Sequence, residues 1–176
     1  MCNCDHDDTL LGLIAGFERF RERYHDTPEY QCLVQDGQKP RVLLLACSDS
    51  RVDPAITLDV KPGELFVIRN VANLVPPYET NSGQHGVSAA IEYAVSVLKV
   101  DHIIVKGHAK CGGIRALVDN PEQASIDSAS LIGRWMAIAK PAYERAKSRH
   151  PDADNDTLAA ELEKDSILAS LDNLMT

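Results

Sequence analysis

The chain has 176 residues, a hydrophobic fraction of 44% and a formal net charge of −8. A chain of this length and composition can bury one core but is short for two full domains, so we expect one globular domain. The acidic balance argues against a nucleic-acid surface, which needs clustered lysine and arginine side chains. The sequence contains no apolar run near the roughly 20 residues that span a bilayer, so we expect no membrane partner.

The first eight residues are polar and have neither the basic nor the apolar region of a secretory signal. We expect residues 1–8 to form a flexible tail, residues 9–176 to form the domain, and the protein to be cytoplasmic. Five cysteines make an odd number, which excludes a complete set of internal disulfides and favours metal ligands, reactive thiols or small core residues. Cys32 is interpreted as a small packing residue in an irregular stretch from Asp26 to Pro40.

Apolar periodicity predicts the secondary structure in chain order. Helical spacing predicts an amphipathic helix from about Leu10 to His25. Apolar runs without alternation predict strands of a parallel sheet at residues 41–46, 65–69 and 102–106. Further helices are predicted after the candidate N-caps Thr80, Asn81 and Ser82, at 112–119, and at 130–150 and 156–174, the last two as packing elements. This order predicts an α/β fold in three layers, with a mainly parallel central sheet flanked by helices.

Polar and metal-ligating residues follow two of the predicted strands. Cys47, Asp49 and Arg51 come directly after the first strand, and His108 and Cys111 follow the third. The carboxyl ends of adjacent parallel strands lie at one edge of a sheet, where ligands collect. Zinc takes cysteine and histidine ligands in tetrahedral geometry, and three protein ligands with an open fourth position form the catalytic pattern. The sequence therefore predicts a zinc ion held by Cys47, His108 and Cys111.

Two roles for Asp49 remain open. It could be the fourth zinc ligand, or it could pair with Arg51 and accept a hydrogen bond from a metal-bound water. A simple ion pair that shapes the loop is a third interpretation, which the neighbouring ligands disfavour. Gly112 and Gly113 add backbone N–H groups at a helix N-terminus, a place that favours an anion such as bicarbonate or a developing oxyanion.

The segments Ala46–Arg51 and Gly107–Gly113, at this separation, resemble the two signature motifs of the β-class carbonic anhydrases. The resemblance covers most of the chain from Gln38 onwards, including residues 62–64, 66–73, 75–77 and 89–95. It implies an enzyme with one zinc per chain that interconverts CO2 and bicarbonate by attack of zinc-bound hydroxide on CO2. Asp49 and Arg51 would then free and orient the fourth ligand.

The resemblance also implies a substrate cavity and an assembly. Gln38, Phe66, Val71 and Tyr93 match family positions that line a small cavity, where Gln38 would contact the substrate. The family builds its sites at a dimer interface, with the N-terminal helix laid across the neighbouring subunit. We therefore expect a homodimer or an assembly of dimers.

Family chains usually continue into a further helix and an edge strand, whereas this chain ends at Thr176. The expected domain therefore lacks these two elements, as a shortened or a naturally short form. Two alternative functions stay open: a hydrolase of carbonyl sulfide or carbon disulfide on the same site, and a non-catalytic, zinc-stabilised assembly protein. Two thiolates cancel the charge of zinc, so a water molecule bound to the ion should be less acidified than it would be with three neutral histidine ligands. We therefore expect an activity that rises towards alkaline pH.

Overall fold

The structure, a computed structural model, describes residues 9–79 and 83–176. The predicted tail at residues 1–8 lies outside these residues. The chain divides into two units, Met1–Lys39 and Pro40–Thr176. Among the described residues, no helix has both the length and the apolar character needed to cross a membrane.

The described residues of the first unit, 9–39, form two helices. Helix α1, Thr9–Phe20, continues into a π-helical turn at Arg21–His25, so the predicted N-terminal helix is confirmed. The prediction of an irregular stretch after it was wrong, because helix α2 occupies Pro28–Asp36.

The start of α2 explains this error. The Thr27 side chain accepts a hydrogen bond from the Tyr30 N–H at 3.3 Å and thereby caps the helix. Pro28 lies in the first turn, where a missing N–H costs nothing, so it begins a helix here and does not interrupt one. Cys32 lies on α2 and is exposed, so its interpretation as a packing residue was also wrong.

The second unit is built on a parallel sheet of three strands. Strands β1 (Val42–Cys47), β2 (Leu65–Asn70) and β3 (His102–Lys106) pair in the order β2-β1-β3, which confirms the predicted α/β fold. In this register Cys47 lies opposite Asn70. The three strands therefore end together at one edge of the sheet.

Helices flank this sheet. They are α3 (Pro54–Thr57), α4 (Gly86–Glu92, continued by a π-helical segment Tyr93–Leu98), α5 (Gly112–Asp119), α6 (Leu131–Met136), α7 (Lys140–Arg149) and α8 (Asn155–Leu174). Short 3₁₀ turns lie at Ser50–Val52, Val71–Asn73, Pro121–Gln123 and Ala137–Ala139.

Two details of the helix predictions need correction. The predicted N-caps of α4, Thr80 to Ser82, lie outside the described residues, and the N-cap of this helix is His85. The helix predicted at 130–150 is divided into α6 and α7 by a 3₁₀ turn. Pro141 lies in the first turn of α7, and its missing N–H cannot continue the α-helical ladder from α6.

The core contains two clusters of buried side chains. Leu43 and Leu45 of β1 pack with residues of α4 on one face of the sheet. The second cluster lies around the carboxyl end of β1, where Cys47 and Cys111 pack with residues of α5, α7 and α8. The predicted ligands therefore belong to the core itself.

Candidate metal centre

The three predicted ligands lie together at the carboxyl edge of the sheet. The donor atoms of Cys47, His108 and Cys111 are all within 4.8 Å of one another, and the two sulfurs are 3.9 Å apart. The two cysteines are 5% and 2% exposed, and the His108 side chain is 8% exposed. Three soft donors thus converge on one buried point.

The ring of His108 is oriented for ligation through Nε2. Its Nδ1 lies 3.0 Å from the carbonyl oxygen of Ala109, which only accepts hydrogen bonds, so the neutral ring carries its proton on Nδ1. Nε2 then presents a lone pair, and it is buried with no hydrogen-bond partner among the described residues. A buried nitrogen in this state fits a metal ion in front of it.

The thiol chemistry of the cluster also fits a cation. Burial raises the pKa of Cys111 to about 11, and the neighbouring Cys47 sulfur adds to this effect. Hydrogen bonds from the backbone N–H groups of Ile114 and Gly113 act in the opposite direction. A divalent ion supplies the positive charge that two buried thiolates need, and two sulfurs with one imidazole nitrogen form a zinc-type donor set.

Asp49 lies beside this cluster as the partner of Arg51. Its Oδ1 accepts hydrogen bonds from the Arg51 backbone N–H and Nε, both at 2.9 Å, and its Oδ2 accepts one from Nη2 at 2.7 Å. The side-chain hydrogen bonds with Arg51 hold the pKa of Asp49 well below its usual range. Oδ2 is 3.9 Å from Nε2 of His108, so the carboxylate lies next to the donor cluster. The structure thus contains the ion pair of Asp49 and Arg51, which both the water-accepting role and the loop-shaping interpretation require.

Two arginines hold the loop after β1 in place through hydrogen bonds to main-chain oxygens. Arg51 Nη2 also donates to the carbonyl oxygen of Lys110 at 2.9 Å, which links the two ligand loops. Arg69 donates to the carbonyl oxygens of Cys47 and Asp49 at 3.0 and 2.8 Å. It also pairs with Asp53 at 2.5 Å. Sequence reasoning missed the role of Arg69, because a charged residue at the end of an apolar strand indicates a polar contact but does not identify its partner.

The turn after β3 is supported mainly by its backbone and by α8. Lys110 adopts a left-handed conformation with φ 55°, which reverses the chain between His108 and Cys111. Glu163 of α8 accepts a hydrogen bond from the Cys111 backbone N–H at 2.9 Å. A Cβ at Gly107 would lie 2.6 Å from Cδ1 of Ile167 on the same helix, so the turn and α8 approach closely. The interpretation of this helix as packing alone missed Glu163.

The predicted cavity residues occupy different places. Val71 lies beside the second core cluster, where its carbonyl oxygen accepts a hydrogen bond from Trp135 Nε1 at 2.8 Å. A Cβ at Gly113 would lie 2.7 Å from Cγ1 of Val71, so α5 approaches this residue closely. Gly112 precedes it in the first turn of α5 and is exposed.

Phe66 and Tyr93 lie away from the ligands of their own chain. Their ring centroids are 5.9 Å apart, and Phe66 packs on the Leu43 cluster. Phe66 is four residues before Asn70 on β2, a distance of about 13 Å along a strand. Gln38 belongs to the first unit and is exposed.

Comparisons with known proteins agree with this geometry. A family model described as carbonic anhydrase matches residues 42–176. β carbonic anhydrase 5, chloroplastic, from Arabidopsis thaliana is 39% identical over 173 residues, which are 98% of this chain and 56% of the relative. This chain therefore spans little more than half the length of that relative.

Solved structures are similar along almost the whole chain. The β-carbonic anhydrase CcaA superposes with a TM-score of 0.83 at 32% identity, over 95% of this chain and 74% of that one. A chain from the tetrameric β-carbonic anhydrases of the filamentous ascomycete Sordaria macrospora gives 0.74 at 28% identity, over 97% of this chain and 82% of that one.

Proposed function

Because the chain belongs to the β-carbonic anhydrase family, we propose that it catalyses the reversible hydration of CO2 to bicarbonate and a proton, with one zinc ion per chain. The observation that carries the proposal is the buried cluster of Cys47, His108 and Cys111 with a paired carboxylate beside it. When bound, zinc supplies Lewis-acid chemistry that lowers the pKa of a water molecule at its fourth position.

Residues of the chain would bind the ion and orient the reacting water. Cys47 and Cys111 would hold the ion as thiolates, and His108 would hold it through Nε2 because Nδ1 is used by Ala109. Asp49, whose Oδ2 is 3.9 Å from His108 Nε2, would be the catalytic residue that accepts a hydrogen bond from a reacting water molecule and orients it. Arg51 keeps this carboxylate ionised and directed towards the site.

A closed state is the alternative arrangement of the same residues. Asp49 would itself become a ligand of the ion, and its carboxylate would give up its side-chain hydrogen bonds with Arg51. The loss of these charge-assisted bonds opposes closure, so the ion pair favours the open state. Gly112 offers a further backbone N–H near the ligands for an anionic product.

We further propose that the active unit is a homodimer or an assembly of dimers. Helix α1 exposes a row of large apolar side chains, with Leu10 70%, Leu13 67% and Phe17 62% exposed, which indicates a covering partner. In such a dimer, Gln38, Phe66 and Tyr93 would line the site of the neighbouring subunit. The distance of Phe66 along β2 from its own chain's ligands supports this arrangement.

The cytoplasm remains the proposed compartment. Cys32 is an exposed free thiol, which supports a reducing environment. The Arabidopsis relative is described as chloroplastic. Fluorescence imaging of the tagged full-length protein in its own cells tests the location, and a signal confined to another compartment contradicts the proposal.

Zinc content measured together with CO2 hydration kinetics from pH 6 to 9 tests the function. We expect one zinc per chain and a rate that rises with pH. Cys47→Ser should lose zinc and lower kcat/KM more than about 100-fold, since ligand loss exceeds the 10–100-fold effect of outer-shell changes. Cys32→Ser is the matched control, because this exposed thiol on α2 should leave both quantities unchanged.

The same experiment can contradict the proposal in distinct ways. A zinc-replete protein with no hydration activity at any pH would indicate a non-catalytic zinc protein. A higher kcat/KM with carbonyl sulfide or carbon disulfide than with CO2 would indicate the hydrolase. A rate that does not change between pH 6 and 9 would contradict the charge argument from the two thiolates.

A further inference from the structure

We infer that Glu163 of α8 is a positioning residue that holds the ligand Cys111 in place for zinc. The inference rests on the proposed zinc site but not on CO2 hydration. Oε1 of Glu163 accepts a hydrogen bond from the Cys111 backbone N–H at 2.9 Å, across 52 positions of sequence. Glu163 thus reaches from the last helix into the backbone of a ligand that begins another helix.

Every polar group of Cys111 has a defined partner. Its N–H donates to Glu163, its carbonyl oxygen accepts from the Arg115 N–H at 2.9 Å, and its sulfur accepts from the N–H groups of Ile114 and Gly113. The last three partners belong to the first turn of α5 and follow from helix geometry. Glu163 supplies the hydrogen bond to the Cys111 backbone from outside α5, so it contributes to the orientation of the N-terminus of that helix.

The neighbouring contacts of α8 keep Glu163 in a fixed position. Ile167, one turn later, packs against Gly107, and Ser170 donates to the Asn73 carbonyl oxygen at 3.4 Å. Ser170 Oγ also accepts from the Val75 N–H at 3.2 Å. The spacings of four and three residues place Glu163, Ile167 and Ser170 on one face of the helix. This face therefore supports the loops that follow β2 and β3.

Other acidic residues of α8 have different partners. Glu161 pairs with Lys164 at 2.8 Å, and Asp165 pairs with Arg149. The first ion pair lies within α8, and the second joins α7 to α8. Glu163 instead directs a carboxylate oxygen at the main chain of a buried residue, since Cys111 is 2% exposed. Without this acceptor, the N–H would be buried without a partner, which is unfavourable.

Zinc retention tests the inference on the zinc-loaded protein, with release followed by a colorimetric chelator. Glu163→Ala should release zinc about 10–100-fold faster than the wild type, the usual effect of losing an outer-shell contact. Glu163→Gln keeps an oxygen acceptor of the same length, and its release rate should stay within about threefold of the wild type. Glu161→Ala is the matched control two positions away and should release zinc at the wild-type rate.

A second readout separates positioning from general stability. In the cobalt-substituted protein, Glu163→Ala should shift the visible absorption bands that report ligand geometry, whereas Glu163→Gln and Glu161→Ala should leave them unchanged. Equal release rates for Glu163→Ala and the wild type, or no rescue by Glu163→Gln, would overturn the inference alone. A wild-type protein that takes up no zinc would overturn the proposed function and the inference together.

Discussion

The two ligand loops are held in different ways, although they meet at one point. The loop after β1, which carries Cys47 and Asp49, is fixed by charged side chains, chiefly the hydrogen bonds of Arg69 and Arg51. The turn after β3, which carries His108 and Cys111, is fixed by close backbone approaches at two glycines and by one hydrogen bond from α8.

This difference matches the proposed tasks of the two loops. Charge-assisted hydrogen bonds can be exchanged one at a time, so the first loop suits a residue such as Asp49 that would alternate between Arg51 and the ion. Close packing in a core has few alternative arrangements, so the second turn suits two ligands that stay in place. The comparison therefore predicts that the loss of a charged side chain destabilises the first loop, whereas added side-chain volume destabilises the second turn.

Removal of Arg69 should have the largest effect on stability. Arg69→Met removes the side-chain donor to the carbonyl oxygens of Cys47 and Asp49 and the ion-pair partner of Asp53. We expect the free energy of unfolding to fall by about 2–3 kcal/mol, because hydrogen bonds to charged groups contribute about 1.5–3 kcal/mol. Urea denaturation of the zinc-free protein measures this change.

The exposed pair of Arg41 and Asp101 provides the control for Arg69. The Arg41 side chain is 81% exposed, so Arg41→Met should change stability by less than about 1 kcal/mol. Equal losses for the two arginine variants would show that the loop after β1 does not depend on the contacts of Arg69.

The addition of one methyl group tests whether the second turn depends on close packing. Gly113→Ala places a Cβ 2.7 Å from Cγ1 of Val71, where the backbone of α5 and the Val71 loop must separate. Overpacking should lower the free energy of unfolding by about 1–2 kcal/mol. Gly112→Ala is the matched control, since its Cβ meets no atom within 4 Å. Unfolding curves that place both variants at the wild-type midpoint would contradict the role of close packing.

Acid should weaken α8, which supports the second turn, by a smaller amount. Asp154 caps this helix by accepting from the Thr157 N–H at 2.8 Å, and these hydrogen bonds lower its pKa. A lowered pKa gives stability that is present above the unfolded value near 4 and lost as pH falls through the folded value. The wild type should therefore be more stable than Asp154→Asn at pH 6, and the difference should be smaller at pH 3. Thermal melts that differ equally at both pH values would contradict this.

The ligands and the sheet could be predicted because their signals are local. Each ligand follows an apolar run that forms a strand, and parallel strands bring their carboxyl ends together. Helix α2 was missed for a local reason, since Pro28 begins a helix as readily as it ends one.

The supports of the site could not be predicted in the same way. The Arg69–Asp49 contact spans 20 positions and the Glu163–Cys111 contact spans 52, and both arise only when the chain is folded. A charged residue at the end of a strand or on a helix face has many possible partners in sequence. Long-range hydrogen bonds to main-chain atoms leave no residue-type pattern, whereas zinc ligands do.

Zinc-edge X-ray absorption of the zinc-loaded protein tests the central claim most directly, because it counts the donors that the two loops bring to one ion. We predict two sulfurs at about 2.3 Å and one imidazole nitrogen at about 2.0–2.1 Å, with the fourth position taken by an oxygen. A site with four sulfur or nitrogen donors, or one with fewer than two sulfurs, would contradict the account.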